Sequence, residues 1–439
     1  MLNVSSGRYH ACDGVSRRSV LKAGVLGMAG LTLANLFRLQ ARAGSTPGGK
    51  KAVIQVFLSG GLTHIDSYDP KPSAPAEFRG EFKSIPTRLP GVEFSEMLPA
   101  QAAIADKLAV IRSMQHTTAD HDQGQHWMMT GFQPNGPLAR QNDRPSVGSI
   151  VAKLKGSNGA GLPPYVGIPN APQYGSASYL GPGFNPFSLG GDPSREFKVR
   201  NVELTRGLTM NRLDDRKYLL SRLDRINRER DSSGMMEGLD RFTGQAYEMI
   251  TGPAARQAFD IAKEDPRVRE RYGRNRIGQS CLLARRLVEA GVSFVTISEG
   301  NWDHHGQVFA SCRQQLPPVD QAVAALVEDL YARGLDQDVL LLVWGEFGRT
   351  PRVNGNAGRD HWPGAMSAVV AGGGLRMGQA VGSTNSKGER PVEAPCGPED
   401  LLQTVYHVLG IDPRHEFHNE SGRPMPVLNQ GKIIDSLIA

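Results

Sequence analysis

Residues 339–364 read VLLLVWGEFGRTPRVNGNAGRDHWPG and join an apolar run to a polar return loop. The first five residues are all apolar, which predicts a strand buried on both faces of a sheet. A carboxylate, Glu346, follows, and the pair Asp360 and His361 arrives after a loop rich in glycine and asparagine. Those residue types adopt positive φ at little cost, so the loop can double back. The stretch therefore predicts that Glu346 and His361 meet beside the end of a core strand.

Apolar runs that predict strands alternate along the chain with runs of helical spacing. We predict strands over residues 52–58, 108–111, 292–297, 339–343 and 367–370. Helices are predicted over 100–105, 318–333 and 399–409, with one more ending near Gly291. Glycine- and proline-rich stretches at 156–192 and 372–395 have the composition of long loops. The alternation predicts an α/β fold, with a mostly parallel sheet covered by helices on both faces.

The charge-rich residues 198–285 interrupt this alternation and have the spacing of solvated helices. We interpret them as a helical insertion within one α/β domain that spans residues 44–439.

The first 43 residues have the layout of an export signal. Arg17 and Arg18 precede a glycine-containing apolar run over 20–37, and Ala41-Arg42-Ala43 supplies a cleavage site. The paired arginines resemble a twin-arginine signal. The alternative is a single membrane anchor, but the run is short and diluted by glycine for a bilayer. We therefore expect export by the twin-arginine machinery to the periplasm or beyond, with no stable membrane span after cleavage.

Composition limits the partners and the covalent framework of the mature chain. The signal carries five of the six net positive charges of the whole sequence, so the remainder is nearly neutral. This balance gives no indication of nucleic-acid binding. Cys281, Cys312 and Cys396 remain after cleavage, which allows one disulfide but matches no zinc-ligand spacing.

Acidic residues and histidines collect next to the predicted strand ends. In an α/β sheet, ligands bind in the crevice outside the carboxyl ends of the strands. A mixed set of imidazoles and carboxylates favours zinc or manganese, with calcium, which prefers oxygen ligands, as the alternative. The candidate metal ligands are Asp66, Asp303, His305, Glu346, Asp360 and His361.

Three motifs give the chain a family resemblance. GGLTHIDSYDPKP (60–72), WDHHGQVF (302–309) and WGEFGRTP…GRDHW (344–362) resemble an exported sulfatase-like family, the domain of unknown function fifteen-oh-one. That family is similar to the alkaline phosphatase/sulfatase superfamily. The resemblance implies a metal-dependent hydrolase of a sulfate or phosphate ester, on a small molecule or a polysaccharide. The alternative is a non-catalytic relative that binds carbohydrate or metal.

The resemblance also assigns expected catalytic roles. Residues 121–134, HDQGQHWMMTGFQP, are similar to the sulfatase signature and share its Thr-Gly-x-x-Pro ending. The position of the nucleophilic Cys or Ser then falls on His121, and a hydroxyl could come from Ser113, Thr117 or Thr118 only by a shift of register. Arg349 is expected to neutralise charge on the oxyanion. The metal-binding Asp that the superfamily has after its first strand is replaced by Ser59-Gly60-Gly61, which leaves Asp66 as its substitute.

Overall fold

A central sheet of eight strands organises the protein. The computed structural model describes residues 50–134, 136, 138, 141–195 and 252–438. In chain order its strands are β1 (Ala52–Leu58), β2 (Ser84–Pro86), β3 (Glu93–Ser95), β4 (Ala109–Met114), β5 (Tyr165–Ile168), β6 (Phe187–Ser188), β7 (Phe294–Glu299), β8 (Val339–Trp344), β9 (Gly348–Arg349), β10 (His361–Trp362), β11 (Met366–Gly372), β12 (Gln379–Val381), β13 (Ser383–Thr384), β14 (Pro391–Glu393), β15 (Glu416–His418) and β16 (Pro424–Pro426).

The direction of one strand decides what lies at each edge of the main sheet. Its strand order is β12-β4-β11-β8-β1-β7-β5-β6. All neighbouring pairs are parallel except the two that β11 makes, with β4 and with β8. The predicted mostly parallel sheet is thus confirmed. Because β11 runs against its neighbours, its amino end lies at the same edge as the carboxyl ends of β1, β4, β7 and β8.

Helices cover both faces of this sheet. They are α1 (Ala76–Arg79), α2 (Pro99–Ala103), α3 (His121–Thr130), α4 (Val147–Leu154), α5 (Pro253–Phe259), α6 (Pro266–Tyr272), α7 (Arg276–Ala290), α8 (Val308–Ala332) and α9 (Pro398–Leu409). Side chains of α2, α7 and α8 pack into one apolar core, and those of α3, α4 and α9 pack into a second. The central strand β1 serves both, since Ile54 and Val56 enter the first core while Val53 and Phe57 enter the second. No helix in the described ranges is long and apolar enough to cross a membrane.

Most predicted elements are confirmed within three residues at each end. The helix predicted over 318–333 is longer, because α8 begins at Val308 and continues through Pro317 and Pro318. Each proline removes one backbone donor, and burial of the helix on both sides of the pair offsets that loss. The prediction of long loops is wrong in part, since β5, β6 and β12 fall in those stretches and belong to the main sheet. Short strands among many glycines and prolines leave little periodic signal.

Two predicted segments fall wholly or mainly outside the described residues. They are the signal peptide, residues 1–43, and residues 198–251 of the helical insertion. The described remainder of the insertion contains α5, α6 and most of α7.

A buried ion pair joins the loop after β1 to the loop before β11. Asp66 and Arg359 are both fully buried, and Nε of Arg359 lies 2.7 Å from Oδ2 of Asp66. The hydroxyl of Thr63 donates to the same carboxylate oxygen at 2.8 Å. Other guanidinium N–H groups donate to the carbonyl oxygens of Phe78 and Thr350. Both charges are therefore satisfied inside the protein, and the pair fixes the two loops against each other.

Asp66→Asn is expected to lower the free energy of unfolding by about 3–5 kcal/mol, because Arg359 then stays buried without its counter-ion. Arg359→Met should cost a similar amount, and the double variant less than the two single changes together. Denaturant unfolding of all three proteins measures these differences. Glu81→Gln is the control, since it breaks an exposed pair with Arg313 and should cost at most about 1 kcal/mol. An Asp66→Asn protein as stable as the wild type would show that this pair does not hold the loops.

Candidate metal centre

Side chains from separate segments of the chain meet at one edge of the sheet. His121 begins α3 after β4, Asp303 and His305 follow β7, Glu346 follows β8, and His361 precedes β11. All of these segments share an edge because β11 is antiparallel to β4 and β8. The structure therefore brings together four of the predicted ligands and the predicted catalytic histidine, at the edge where such sheets place their ligands.

His361 is oriented by a backbone carbonyl. Its Nδ1 lies 2.6 Å from the carbonyl oxygen of Ala119. A carbonyl oxygen only accepts, so Nδ1 carries the proton, and in the neutral ring Nε2 carries a lone pair. That Nε2 lies 3.1 Å from Oδ1 of Asp303.

His305 is oriented in the same way by a carboxylate. Its Nδ1 lies 2.8 Å from Oδ1 of Asp360, and Asn354 donates to that oxygen at 3.1 Å. The hydrogen bond from His305 lowers the pKa of Asp360, so the carboxylate accepts and Nε2 of the neutral ring is left with a lone pair. The Nε2 atoms of His305 and His361 are 3.0 Å apart. Two lone pairs at that distance repel each other unless a proton or a metal ion lies between them.

Asp303 faces both lone pairs with one oxygen. Its Oδ1 lies 3.0 Å from Nε2 of His305 and 3.1 Å from Nε2 of His361, and it accepts a hydrogen bond from Arg349. Partial burial raises the pKa of Asp303, but the hydrogen bond and charge of Arg349 outweigh it and hold that pKa well below its usual range. Asp303 is therefore an anion beside two nitrogen donors.

These three donor atoms fit a divalent metal ion. They lie 3.0–3.1 Å from one another. A tetrahedral ion with bonds of about 2.0–2.1 Å requires ligand atoms about 3.3 Å apart. Two imidazoles and a carboxylate suit zinc or manganese. Metal-bound histidines usually donate their second N–H to a carboxylate or carbonyl, and Asp360 and Ala119 occupy those positions.

His121 lies on the other side of Asp303. Its Nε2 is 3.3 Å from Oδ2 of Asp303, and its Nδ1 is 2.7 Å from Oε1 of Glu346. His121, Asp303 and His361 also offer atoms that all lie within 4.8 Å of one another. The hydrogen bond with Glu346 raises the pKa of His121, against the opposite effect of burial. His121 thus joins Glu346 to the donor atoms at the centre.

Glu346 reaches the centre through His121 and not beside His361. The ring centres of His121 and His361 are 4.3 Å apart. Glu346 is 1% exposed, and the amide of Gly60 donates to its Oε1 at 2.7 Å. Its Oε2 has no hydrogen-bond partner among the described residues. Buried polar atoms are normally paired, so this oxygen can still accept a hydrogen bond or a cation.

Arg349 lies beneath the centre. The sequence predicts that it binds a substrate anion, but its side chain is 1% exposed. Its nitrogens donate to the carbonyl oxygens of Gly60, Gly61 and Arg359 and to Asp303. The guanidinium therefore positions Asp303 and the turn after β1.

Three other predicted residues do not offer atoms to the centre. Asp66 belongs to the buried ion pair described above. Asp360 holds the ring of His305 and does not face the two Nε2 atoms. Thr118 donates its hydroxyl to Oε1 of Gln123 at 3.1 Å.

Several groups that build the centre are not evident from the sequence. Gly60 has a φ of 114°, and a Cβ there would lie 2.5 Å from the amide nitrogen of Asp303. Glycine at this turn thus lets the loop after β7 approach. The backbone carbonyl of Ala119, which orients His361, cannot be recognised from any sequence motif. His116, whose Nε2 lies 2.6 Å from the carbonyl oxygen of Glu346, ties the loop before α3 to the end of β8. Of these, only the turn at Ser59-Gly60-Gly61 is marked in the sequence, by the glycines that follow an apolar run.

A shallow groove of about 660 Å³ opens beside His305. Its lining consists of His305, Gly306, Gln307, Gly355, Asn356 and Ala357. The amide of Gln307 donates to the carbonyl oxygen of Asn356 at 3.0 Å, which seats this loop on the start of α8. Apart from His305, its walls are made of backbone, methyl and amide groups.

The fold and the centre define an α/β protein with a histidine–carboxylate cluster at the edge of its sheet. Residues 50–438 match the model of the family described as "Protein of unknown function (DUF1501)". The chain belongs to this family, as its motifs indicate. No curated protein matches it.

Solved structures that resemble the chain are distant from it. A putative sulfatase from Bacteroides thetaiotaomicron is 10% identical with a TM-score of 0.41, covering 88% of this chain and 74% of its own. Ps i-CgsB in complex with k-i-k-neocarrahexaose is 13% identical with a TM-score of 0.40, covering 82% and 72%. The lipoteichoic acid synthase LtaP from Listeria monocytogenes is 9% identical with a TM-score of 0.36, covering 87% and 75%. No residue's role follows from likenesses this distant.

His305→Ala and His361→Ala are each expected to abolish stoichiometric binding of zinc or manganese, because each removes one of three donor atoms. Asp360→Asn should weaken binding by about 10–100-fold without abolishing it, since the ring of His305 loses only its charged partner. Metal analysis after equilibrium dialysis measures both effects.

His407→Ala is the matched control, because His407 is an exposed histidine on α9. Asp66→Asn, where it folds, should also keep its metal. Full metal content in both His305→Ala and His361→Ala would mean that the lone pairs of these rings do not bind an ion.

Proposed function

We propose that the protein is an exported, metal-dependent hydrolase of sulfate or phosphate esters. The observation that carries this proposal is the pair of imidazole Nε2 atoms, 3.0 Å apart, beside the anionic Asp303. The side chains of His305 and Asp303 are 48% and 44% exposed, so water and a substrate can reach them. A donor set that is open to solvent is typical of catalytic metal sites, while structural sites are closed.

A divalent ion held by Asp303, His305 and His361 would polarise an ester oxygen and lower the pKa of water. His121 is placed to move protons beside it. Glu346 accepts the Nδ1–H of its ring, which leaves Nε2 directed at Asp303 and the donor atoms. In this position His121 can take a proton from an attacking water and return it to the leaving oxygen. Arg349 keeps Asp303 charged and in place.

Direct attack by water is supported over a covalent intermediate. The hydroxyl of Thr118 is turned to Gln123. Cys281, Cys312 and Cys396 are buried, and burial raises the pKa of each thiol. These groups are therefore not available as nucleophiles at the centre.

A non-catalytic relative that binds metal or carbohydrate is the second candidate. It is favoured by the same placement of Thr118, since the hydroxyl that the resemblance allows as a nucleophile does not face the donor atoms. Turnover of an ester by the metal-loaded protein separates the two candidates.

The metal-loaded protein is expected to hydrolyse at least one of three aryl esters, a sulfate, a phosphate monoester or a phosphodiester, and to lose activity on chelation. His121→Gln should lower kcat by about 10²–10⁴-fold, because it removes the proton-transfer group. Its metal content should stay intact, which distinguishes a proton-transfer role from a ligand role. Gln125→Ala, which alters a buried α3 side chain that donates to Ser59, is the control. No turnover of any ester by protein that carries its metal would favour the non-catalytic candidate.

Export rests on the first 43 residues. Arg17→Lys combined with Arg18→Lys is expected to leave the precursor in the cytoplasm, because twin-arginine transport requires the pair. Cell fractionation with an antibody against the mature chain measures the distribution. Normal export of the double variant, with the wild type beside it, would contradict the assignment to this route.

A further inference from the structure

The side chain of Asn354 lies beside the ring partner of His305 and is half-buried. Building on the proposed hydrolase, we propose that Asn354 is a positioning residue for His305 and that it serves only as a neutral amide. The inference rests on the proposed function, because His305 supplies one of the three donor atoms of its metal centre. The hydrogen bonds at the two ends of the amide carry it.

The Nδ2 atom of Asn354 donates to two groups that fix His305. One is the carbonyl oxygen of His305 itself, at 3.0 Å, and the other is Oδ1 of Asp360, at 3.1 Å. The same carboxylate oxygen accepts the Nδ1–H of the His305 ring at 2.8 Å. One amide nitrogen therefore links the backbone of this ligand to the partner of its ring, and so holds Nε2 in its place.

The other end of the amide fixes its orientation. Oδ1 of Asn354 accepts the backbone N–H of Asn356 at 3.0 Å and that of Gly358 at 2.9 Å. A flipped amide would direct its NH2 group at two N–H donors and its oxygen at a carbonyl and a carboxylate. All the partners thus select one orientation. An ionised aspartate has the same shape but donates no hydrogen bond, so it could satisfy only the turn.

The turn that carries Asn354 is also held against the loop of His305 by contacts that do not use the amide. The backbone N–H of Val308 donates to the carbonyl oxygen of Ala357 at 2.8 Å. A Cβ on Gly358 would lie 2.1 Å from the carbonyl carbon and oxygen of His305, so the close approach requires glycine. A variant at Asn354 is therefore expected to keep the fold of both loops and to act on the ring of His305.

Asn354→Asp tests the role of the amide nitrogen. It places a carboxylate oxygen where Nδ2 lies, 3.1 Å from Oδ1 of Asp360, and like charges this close repel each other. The two carboxylates must move apart, which takes the acceptor away from the ring of His305. The affinity for zinc should fall at least about tenfold, as for other changes to groups that orient a metal-bound histidine. Competition with a chromophoric chelator measures the dissociation constant.

The sign of this effect distinguishes positioning from charge alone. An additional carboxylate near the donor atoms attracts a divalent cation, so by charge alone Asn354→Asp would bind zinc more tightly. Asn356→Asp is the matched control, since it adds the same charge at an exposed position of the same turn. The side chain of Asn356 makes no hydrogen bond to any residue that the structure describes. Its variant should bind zinc as tightly as the wild type or slightly more tightly.

A double-mutant cycle tests whether Asn354 acts through Asp360. In an Asp360→Asn protein no charge remains at that position to repel a second carboxylate. Adding Asn354→Asp to it should therefore lower the zinc affinity by at most about threefold further. A role of Asn354 in the turn alone would give the same loss in both backgrounds.

The outcomes separate this inference from the proposed function. Weaker binding by Asn354→Asp than by Asn356→Asp, with the same denaturant midpoint for the two metal-free proteins, supports the inference. Binding as tight as in the wild type, equal losses in the two backgrounds, or a midpoint that falls with the affinity each overturn it and leave the hydrolase proposal standing. Absence of zinc and manganese binding by the wild-type protein overturns the metal centre and the proposed function with it.

Discussion

The buried guanidinium of Arg349 is the constraint on which the metal centre depends. It connects the turn after β1, the loop after β7 and the loop before β11 through the carbonyls of Gly60 and Arg359 and the carboxylate of Asp303. A charge buried this deeply is stable only when its donors are satisfied. The loops must therefore keep their arrangement, and Asp303 is kept anionic within it. The histidines then meet a fixed carboxylate and not a mobile one.

Sequence patterns predict which edge of the sheet carries this centre and which residues reach it from the parallel strands. The apolar runs predict the strands, and parallel strands deliver their following residues to one edge, so Asp303, His305 and Glu346 are expected there. The same reasoning does not place His361 at this edge. It precedes its strand, and it shares the edge only because β11 is antiparallel, which no local pattern reveals.

The roles of individual side chains were harder to predict because they depend on buried partners. Asp66 follows β1 as a ligand would, yet it pairs with Arg359, whose place is fixed by a loop far away in sequence. Arg349 is expected, from the resemblance, to bind the substrate anion, but it faces inward. Asp360 and Glu346 each orient a histidine, and the sequence cannot distinguish a carboxylate that binds a metal from one that binds the ring of a ligand.

The spread of the donor segments along the chain has a consequence for how the ion is acquired. The carbonyl that orients His361 is at Ala119, and Asp303 and His305 lie between them in sequence but come from another strand. Contacts between such distant segments form late in folding. An ion bound at the proposed centre would consequently not act as a template for early structure and would enter a chain that is already almost complete. Because metal selectivity in cells depends on which ions are available as well as on affinity, the metal that the proposed centre would hold would depend in part on the compartment in which folding finishes.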